Sequence, residues 1–362
     1  MQTFKKNFRA LIFPTILALL TYVITFFPQL IELYYSIYIY KYIALSLQYL
    51  FGWLPFSWGD LLYVFVVGFI IYRLIKSVIF FRKSTTKLSY LVNSSINISK
   101  YLLYLYIAFM WLWGFNYHRR GIANLLKLQK NSYSTAELSN LTCLLLDSLH
   151  EIRNRLPDSI IAKQQHKTTL VQAFEAYQQP PSTVSFLFHP YKSIKPSLLT
   201  YWVSNSGYAG YFNPFTGEAQ LNTDLPSFLL PYTACHEIAH QLGFASESEA
   251  SFIGFLVAEN QQNTLMKYAA YFEMYLYANS ELFYRDFWQA RLNTHSYNEN
   301  VKKDMLAYRS YILGKQSVAE PYMKLLYDQY LKWNNQEKGI ESYNEVIAWL
   351  IAYKEQQSKA RN

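Results

Sequence analysis

The chain has very little cysteine: Cys143 and Cys235 are the only two in 362 residues. Two thiols cannot build a disulfide framework, and without a Cys-x-x-Cys pair there is no thiolate zinc site, so both read as ordinary buried thiols. A domain of this length is stable without cross-links, so the scarcity does not fix a compartment. Acidic residues are scarce in one region only. Residues 1–100 hold ten Lys/Arg against Glu32 and Asp60, while residues 101–362 hold 23 bases and 22 acids. A nucleic-acid-binding domain would concentrate its bases on the soluble part. Here the excess sits among the apolar runs, so nucleic acid is excluded as a partner and the lipid bilayer is favoured. Internal repeats are also lacking, and low complexity is confined to the polar tail after Tyr353.

Hydrophobic residues make up 52% of the chain, including 34 tyrosines and 25 phenylalanines. They are unevenly spread. Three apolar runs, Ala10–Phe27, Leu61–Phe81 and Tyr101–Phe115, read as transmembrane helices. No small-x-small cleavage site follows the first, which therefore reads as an uncleaved signal anchor. The aromatic run Tyr34–Gly52 has the character of a helix lying at the interface. Lys5, Lys6 and Arg9 precede the first run, and Arg82, Lys83, Lys87 and Lys100 separate the second from the third. By the positive-inside rule the N-terminus is cytoplasmic and everything after Phe115 is outside. The expected organisation is a membrane domain over residues 1–115 and an extracytoplasmic domain over residues 116–362.

Beyond Asn116 the chain is mainly helical. Ser134 and Glu137 have the spacing of a reciprocal helix cap. Prolines interrupt residues 178–232, and Gly207–Thr223 reads as a hairpin: Tyr211-Phe212, a Pro-Phe-Thr-Gly turn, then Ala219–Leu221. His236-Glu237-Ile238-Ala239-His240 comes next. On a helix, residues four apart lie one turn above each other, so both imidazoles can reach one metal ion. Glu237 projects beside that ion and is expected to be the general base. The other His-Glu pair, His150-Glu151, has Asn154 in place of a second ligand and reads as a surface pair. Gly243 is the expected C-terminal cap of the motif helix.

A catalytic zinc site usually has three protein ligands and one open position. The third is sought in Glu247 or Glu249. Ser246 and Glu249 have capping-box spacing, which gives Glu249 a structural task and leaves Glu247 the preferred ligand; Glu249 is then the alternative, or a partner that orients a ligand histidine. Two imidazoles and a carboxylate suit Zn2+. Glu237 would take a proton from water and return it to the leaving amine of a peptide bond. Tyr208 and Tyr211 are candidate oxyanion donors. Either Gly210–Asn213 or Ala219–Asn222 is a candidate edge for an extended peptide substrate.

The runs Pro-Phe-Thr-Gly-Glu-Ala (214–219), Leu-Pro-Tyr-Thr-Ala-Cys-His-Glu-Ile-Ala-His-Gln-Leu-Gly-Phe-Ala (230–245) and Glu-Ser-Glu-Ala-Ser-Phe (247–252), with Leu-Pro-Phe-Ser-Trp-Gly-Asp (54–60), resemble an uncharacterised bacterial membrane family, domain-of-unknown-function family 3810 (DUF3810). Ser251 is a departure, since that pattern has Asn there. The family looks like zincin-type peptidases, which implies three membrane helices followed by a zincin-like α+β catalytic domain with a gluzincin-like site in the bacterial inner membrane. The Glu-x-Glu-Ala segment is similar to the Glu-x-x-Ala-Asp segment of membrane peptidases that process prenylated proteins and of a related heat-shock peptidase, whose ligand carboxylate corresponds to Glu247. The expected function is a membrane-anchored zinc metallopeptidase acting on peptide or protein substrates. The alternative is a catalytically silent receptor or scaffold that keeps the zincin fold.

Overall fold

Ser57 accepts a hydrogen bond from the Asp60 amide at 3.1 Å and starts the long apolar helix Trp58–Lys83. The structure is a computed structural model that describes residues 2–128, 132–318, 320–334, 336 and 343–361. Lys5 and Lys6, on which the orientation partly leans, lie outside the residues whose side chains are described. Trp58–Lys83 is long and apolar enough to cross a membrane, and no residue of its apolar window is buried. The run Ala10–Phe27 behaves differently. Helix Phe8–Ile24 meets the criterion only together with Pro28–Phe51, from which it is bent by 89°. Pro28 has no amide proton to donate and starts the next helix at its first position.

The third expected span is corrected. Tyr101–Phe115 falls in helix Lys87–Leu112, which stops before Trp113. It carries Lys87, Ser89, Asn93, Asn97 and Lys100, and it does not qualify as a membrane-crossing helix. Trp113 and Phe115 turn inward through the short helix Gly114–His118 and are buried. The aromatics that continue the apolar run in sequence thus fill a core. The described residues contain one helix able to cross a membrane, or two if the bent pair is one span.

Tyr34–Gly52 also joins that core. A π-helix over Ile31–Ile39 leads into helix Tyr40–Phe51, and one face of the two buries Glu32, Tyr35, Ser36, Tyr40, Ala44 and Gln48. Ile31, Tyr35, Tyr40, Trp113, Phe115 and Ala245 form one apolar cluster, so packing crosses the expected boundary at residue 115.

The remainder is mainly helical with a small sheet. Helix Thr135–Asn154 opens with the expected reciprocal Ser134–Glu137 cap. Its apolar face packs on helix Thr264–Arg285 and touches Tyr343–Arg361, and Leu138, Leu145, Tyr268 and Leu350 share one core with Ile238 of helix Leu230–Gln241 and Phe255 of helix Glu247–Glu259. The expected hairpin is present as β2 (Gly210–Asn213) and β3 (Glu218–Leu221), with Gly217 at φ 67° closing the turn. A third strand, β1 (Ile194–Pro196), pairs parallel with β3, so the order is β1-β3-β2. Cys235 is buried, but Cys143 is only partly so, which corrects the expectation for that thiol.

A buried ion pair joins the sheet to the apolar helix. Glu218 of β3 accepts from the amides of Trp58 at 3.2 Å and Gly59 at 2.6 Å, and from Lys195 Nζ of β1 at 2.5 Å. Lys195 also donates to the carbonyls of Phe51 at 2.6 Å and Phe56 at 3.0 Å. A carboxylate at a helix N-terminus satisfies orphan amides and complements the helix dipole. Removing one member of a buried pair strands the other. Lys195→Met is therefore expected to destabilise the protein by about 3–5 kcal/mol in denaturant titration in detergent; a loss under about 1 kcal/mol would show that the helix start does not depend on the pair.

Candidate metal centre

The motif helix, Leu230–Gln241, is buried on nearly every side, and Pro231 occupies a first-turn position that needs no amide donor. Gly243 follows at φ 87°, and an added Cβ would lie 2.8 Å from the Tyr40 ring. This left-handed turn returns the chain on itself, so that the Phe244 carbonyl meets His240 Nδ1 at 2.8 Å. His236 Nδ1 lies 3.3 Å from Ser251 Oγ. With both Nδ1 atoms engaged, each histidine presents Nε2 to the cleft, the arrangement seen when a partner sets the tautomer of a metal-ligating histidine.

The next helix, Glu247–Glu259, brings the third group. Gly254 allows it to approach closely: a Cβ there would stand 3.1 Å from the His236 amide nitrogen. Glu247 Oε2 is 3.2 Å from His236 Nε2, and Oε1 is 3.6 Å from His240 Nε2. One donor atom from each of His236, His240 and Glu247 lies within 4.8 Å of the others. This nitrogen-and-oxygen set fits a divalent metal, which these three residues could hold. Ser251 stands one turn beyond Glu247 on the same helix, so its hydroxyl is part of the site.

Glu249 is elsewhere. Its Oε1 accepts from the Ile122 amide at 2.5 Å, and Gly121, at φ 80°, leaves room for the carboxylate. Ser246 caps the helix without a side-chain hydrogen bond, so the expected Ser246–Glu249 cap is absent; the Ile122 amide and the positive field of Arg119 hold this acid instead. Glu249 therefore neither reaches the cluster nor orients a histidine.

Glu237 projects from the motif helix into the same cleft. Its Oε2 is buried and has no hydrogen-bond partner among the described residues, and its Oε1 would lie 2.5 Å from a Cβ placed on Gly210. Burial pushes this carboxyl up to about 8, with the His236 charge opposing. Glu247 goes the other way: burial works against its charge, but the two imidazoles and Tyr327 hold it down at about 2. Burial also depresses His240 to about 4, whereas for His236 the neighbouring carboxylates outweigh burial and raise its pKa.

The cleft has a volume of about 550 Å³ and is walled by β2, the motif helix and helix Glu320–Trp333. β3 lies between β1 and β2, so Ala219–Asn222 offers no open edge and β2 does. Ala219 N donates to Ser193 O and Leu221 O accepts from Ser197 N. Their β2 neighbours Phe212 and Gly210 therefore turn their main-chain groups to the open side.

The two candidate oxyanion donors are corrected. Tyr211 donates its hydroxyl to Asp60 and meets Ser197 Oγ at 2.9 Å, away from the histidines. Side chains alternate along a strand, so it is Phe212 that meets Trp113, at 4.4 Å between ring centres. Tyr208 lines the cleft but donates to the Met323 carbonyl at 3.3 Å. The hydroxyl that reaches the cluster belongs to Tyr327, which donates to Glu247 Oε1. Tyr117, Tyr330, Trp113 and Glu273 also line the cleft. Tyr327 lies 80 positions after Glu247 with no motif around it. Its only sequence signal is the helical spacing of Met323, Tyr327 and Tyr330.

Over residues 35–351 the chain matches the family described as Protein of unknown function (DUF3810), and it belongs to that family. No curated protein and no solved structure matches it.

The approach of Glu237 to Gly210 yields a direct test. In Gly210→Ala the new methyl would also stand 2.8 Å from the Gln220 carbonyl oxygen, so either β2 or the carboxylate must move. The expected loss is about 1–3 kcal/mol in thermal or denaturant unfolding. An unchanged midpoint would mean that Glu237 swings aside freely and is not held against β2.

Proposed function

We propose that the chain is a membrane-anchored zinc metallopeptidase with a zincin-like catalytic unit. One observation carries the reading: His236 Nε2, His240 Nε2 and the Glu247 carboxylate converge, with a buried, unpaired Glu237 oxygen beside them. A purely structural cluster has no use for that oxygen, because a buried acceptor without a partner costs about 1–3 kcal/mol. This disfavours the silent receptor or scaffold.

When bound, Zn2+ would act as a Lewis acid toward water and toward the scissile carbonyl. Glu237, whose buried free oxygen stands beside the cluster, takes a proton from water in the cleft and gives it to the departing amine. The open edge of β2 binds the peptide backbone through Gly210 and Phe212. Tyr327 steadies Glu247. The order of parts, edge strand, motif helix, then a helix bearing a glutamate, supports the zincin-like assignment. The helix Trp58–Lys83 supplies the anchor. With Trp58 at the catalytic end and Arg82 and Lys83 at the other, the positive-inside rule favours an extracytoplasmic site in the bacterial inner membrane.

The purified protein is expected to hold one zinc per chain by metal analysis, and His236→Ala, His240→Ala and Glu247→Ala are expected to lose it. Glu237→Gln should keep the metal while turnover of a randomised peptide pool falls by about 10²–10⁴-fold. Wild-type protein without zinc, or a fully active Glu237→Gln, would sink the reading. Zinc binding in both with no cleavage by either would revive the receptor.

A further inference from the structure

Two long stretches of this chain carry no charged side chain, Tyr42–Gly59 and Ser197–Gly217. They are far apart in sequence and meet around one residue, Asp60, in the first turn of the apolar helix. The Leu198 amide donates to Asp60 Oδ2 at 2.7 Å, Ser197 Oγ approaches the same oxygen at 3.3 Å, and Tyr211 donates to Oδ1. On the outside of this junction the large side chains face solvent. Trp53 is 75% exposed, Tyr201 70%, Trp202 69% and Leu198 51%. The exposed apolar surface of helix Trp58–Lys83 begins within about one turn of Asp60, at Leu61 and Val64.

From this placement we propose that the face formed by Leu198, Tyr201 and Trp202 seats in the bilayer interface and sets the cleft at the membrane surface, so that its substrates are segments of membrane-held polypeptides. The proposal rests on the membrane-anchored peptidase reading and adds the docking face and the substrate class. Tryptophan and tyrosine combine an apolar ring with one polar atom and concentrate where hydrocarbon meets headgroups. The charges beside this face, Lys315 and Asp224 next to Tyr201, pair with each other, and the lysine stem can carry its ammonium toward the headgroups. Continuity with the exposed apolar helix argues for lipid as the occupant.

The docking face and the catalytic wall are one continuous piece of chain. Helix Thr200–Asn205 carries Tyr201 and Trp202, and Gly207–Phe212, which comes almost at once after it, lines the cleft. Gly207 comes five positions after Trp202, which limits their separation to about 18 Å. Tyr211 is tied to Asp60, in the first turn of the exposed apolar helix Trp58–Lys83. A peptide along β2 therefore lies close to the bilayer surface. The aromatic lining from Trp113, Tyr117, Phe212 and Tyr330 suits the apolar residues that flank membrane segments.

The test uses full-length protein in phosphatidylcholine vesicles with shallow acyl bromination. The chain has 8 tryptophans, and Trp202→Phe should remove about one-eighth of the emission, from the fraction that the bromolipid quenches. In the same vesicles, a pool of internally quenched random decapeptides is offered free or with an N-terminal palmitoyl chain. The palmitoylated pool should be cut about ten-fold faster, because it shares the surface with the cleft. Tyr201→Ser combined with Trp202→Ser should remove that preference and leave cleavage of the free pool unchanged. An unquenched Trp202 overturns the docking face, and its cross-linking to a second copy or to another protein would assign the face to that partner. Quenching with neither pool cut keeps the docking face and removes the peptidase reading. Quenching with both pools cut equally overturns the membrane-held substrate.

Discussion

The arrangement depends on how the C-terminal end of the motif helix is satisfied. A helix leaves its last carbonyls without partners, and here that end is buried, so water cannot serve. Tyr40 donates its hydroxyl to Gln241 O at 3.0 Å, and Arg119 donates to Gly243 O at 3.0 Å. His240 Nδ1 takes the Phe244 carbonyl. The carbonyl that completes the helix end therefore also orients a candidate ligand. Arg119 is itself fixed by Glu32, which it meets at 2.6 Å, and by stacking on Phe244 at 4.3 Å. Loss of any of these would leave a buried polar group unpaired and the imidazole free to turn.

Two of these partners, Glu32 and Tyr40, come from the stretch before residue 52. The helices that read as membrane-proximal are thus not a passive tether, since they supply the capping groups that the motif helix cannot provide for itself. Glu218 does the reverse, reaching from the sheet to cap the apolar helix at Trp58 and Gly59. Each half completes the other's helix termini. The family match, which runs from residue 35 to residue 351, likewise spans both halves.

Much of this was legible in the sequence, for local reasons. The spacing of His236, Glu237 and His240 fixes their common helix face, the Ser134–Glu137 cap needs only neighbours three apart, and the Pro-Phe-Thr-Gly turn folds a hairpin from adjacent strands. The family, too, was readable from runs around the motif. What was misread involved partners far away in sequence. Glu249 looked like a cap for its own helix but is held by Ile122, 127 positions earlier. Tyr211 stood near the motif, yet the alternation of β2 sends its hydroxyl to Asp60. The apolar run ending at Phe115 had membrane composition, but its last residues turn into a core with Tyr35 and Tyr40.

The sequence by itself determined the motif helix, the hairpin, the mainly helical class and the long apolar helix, because each follows from periodicity, composition and turn chemistry within a short window. Tertiary structure alone decided that Glu247 rather than Glu249 faces the histidines, that β2 rather than β3 is the open edge, and that Tyr327 reaches the cluster. Those outcomes depend on which helix packs against which and at what distance, and the close approach permitted by Gly254 and Gly243 is a property of the packed chain, not of any local window.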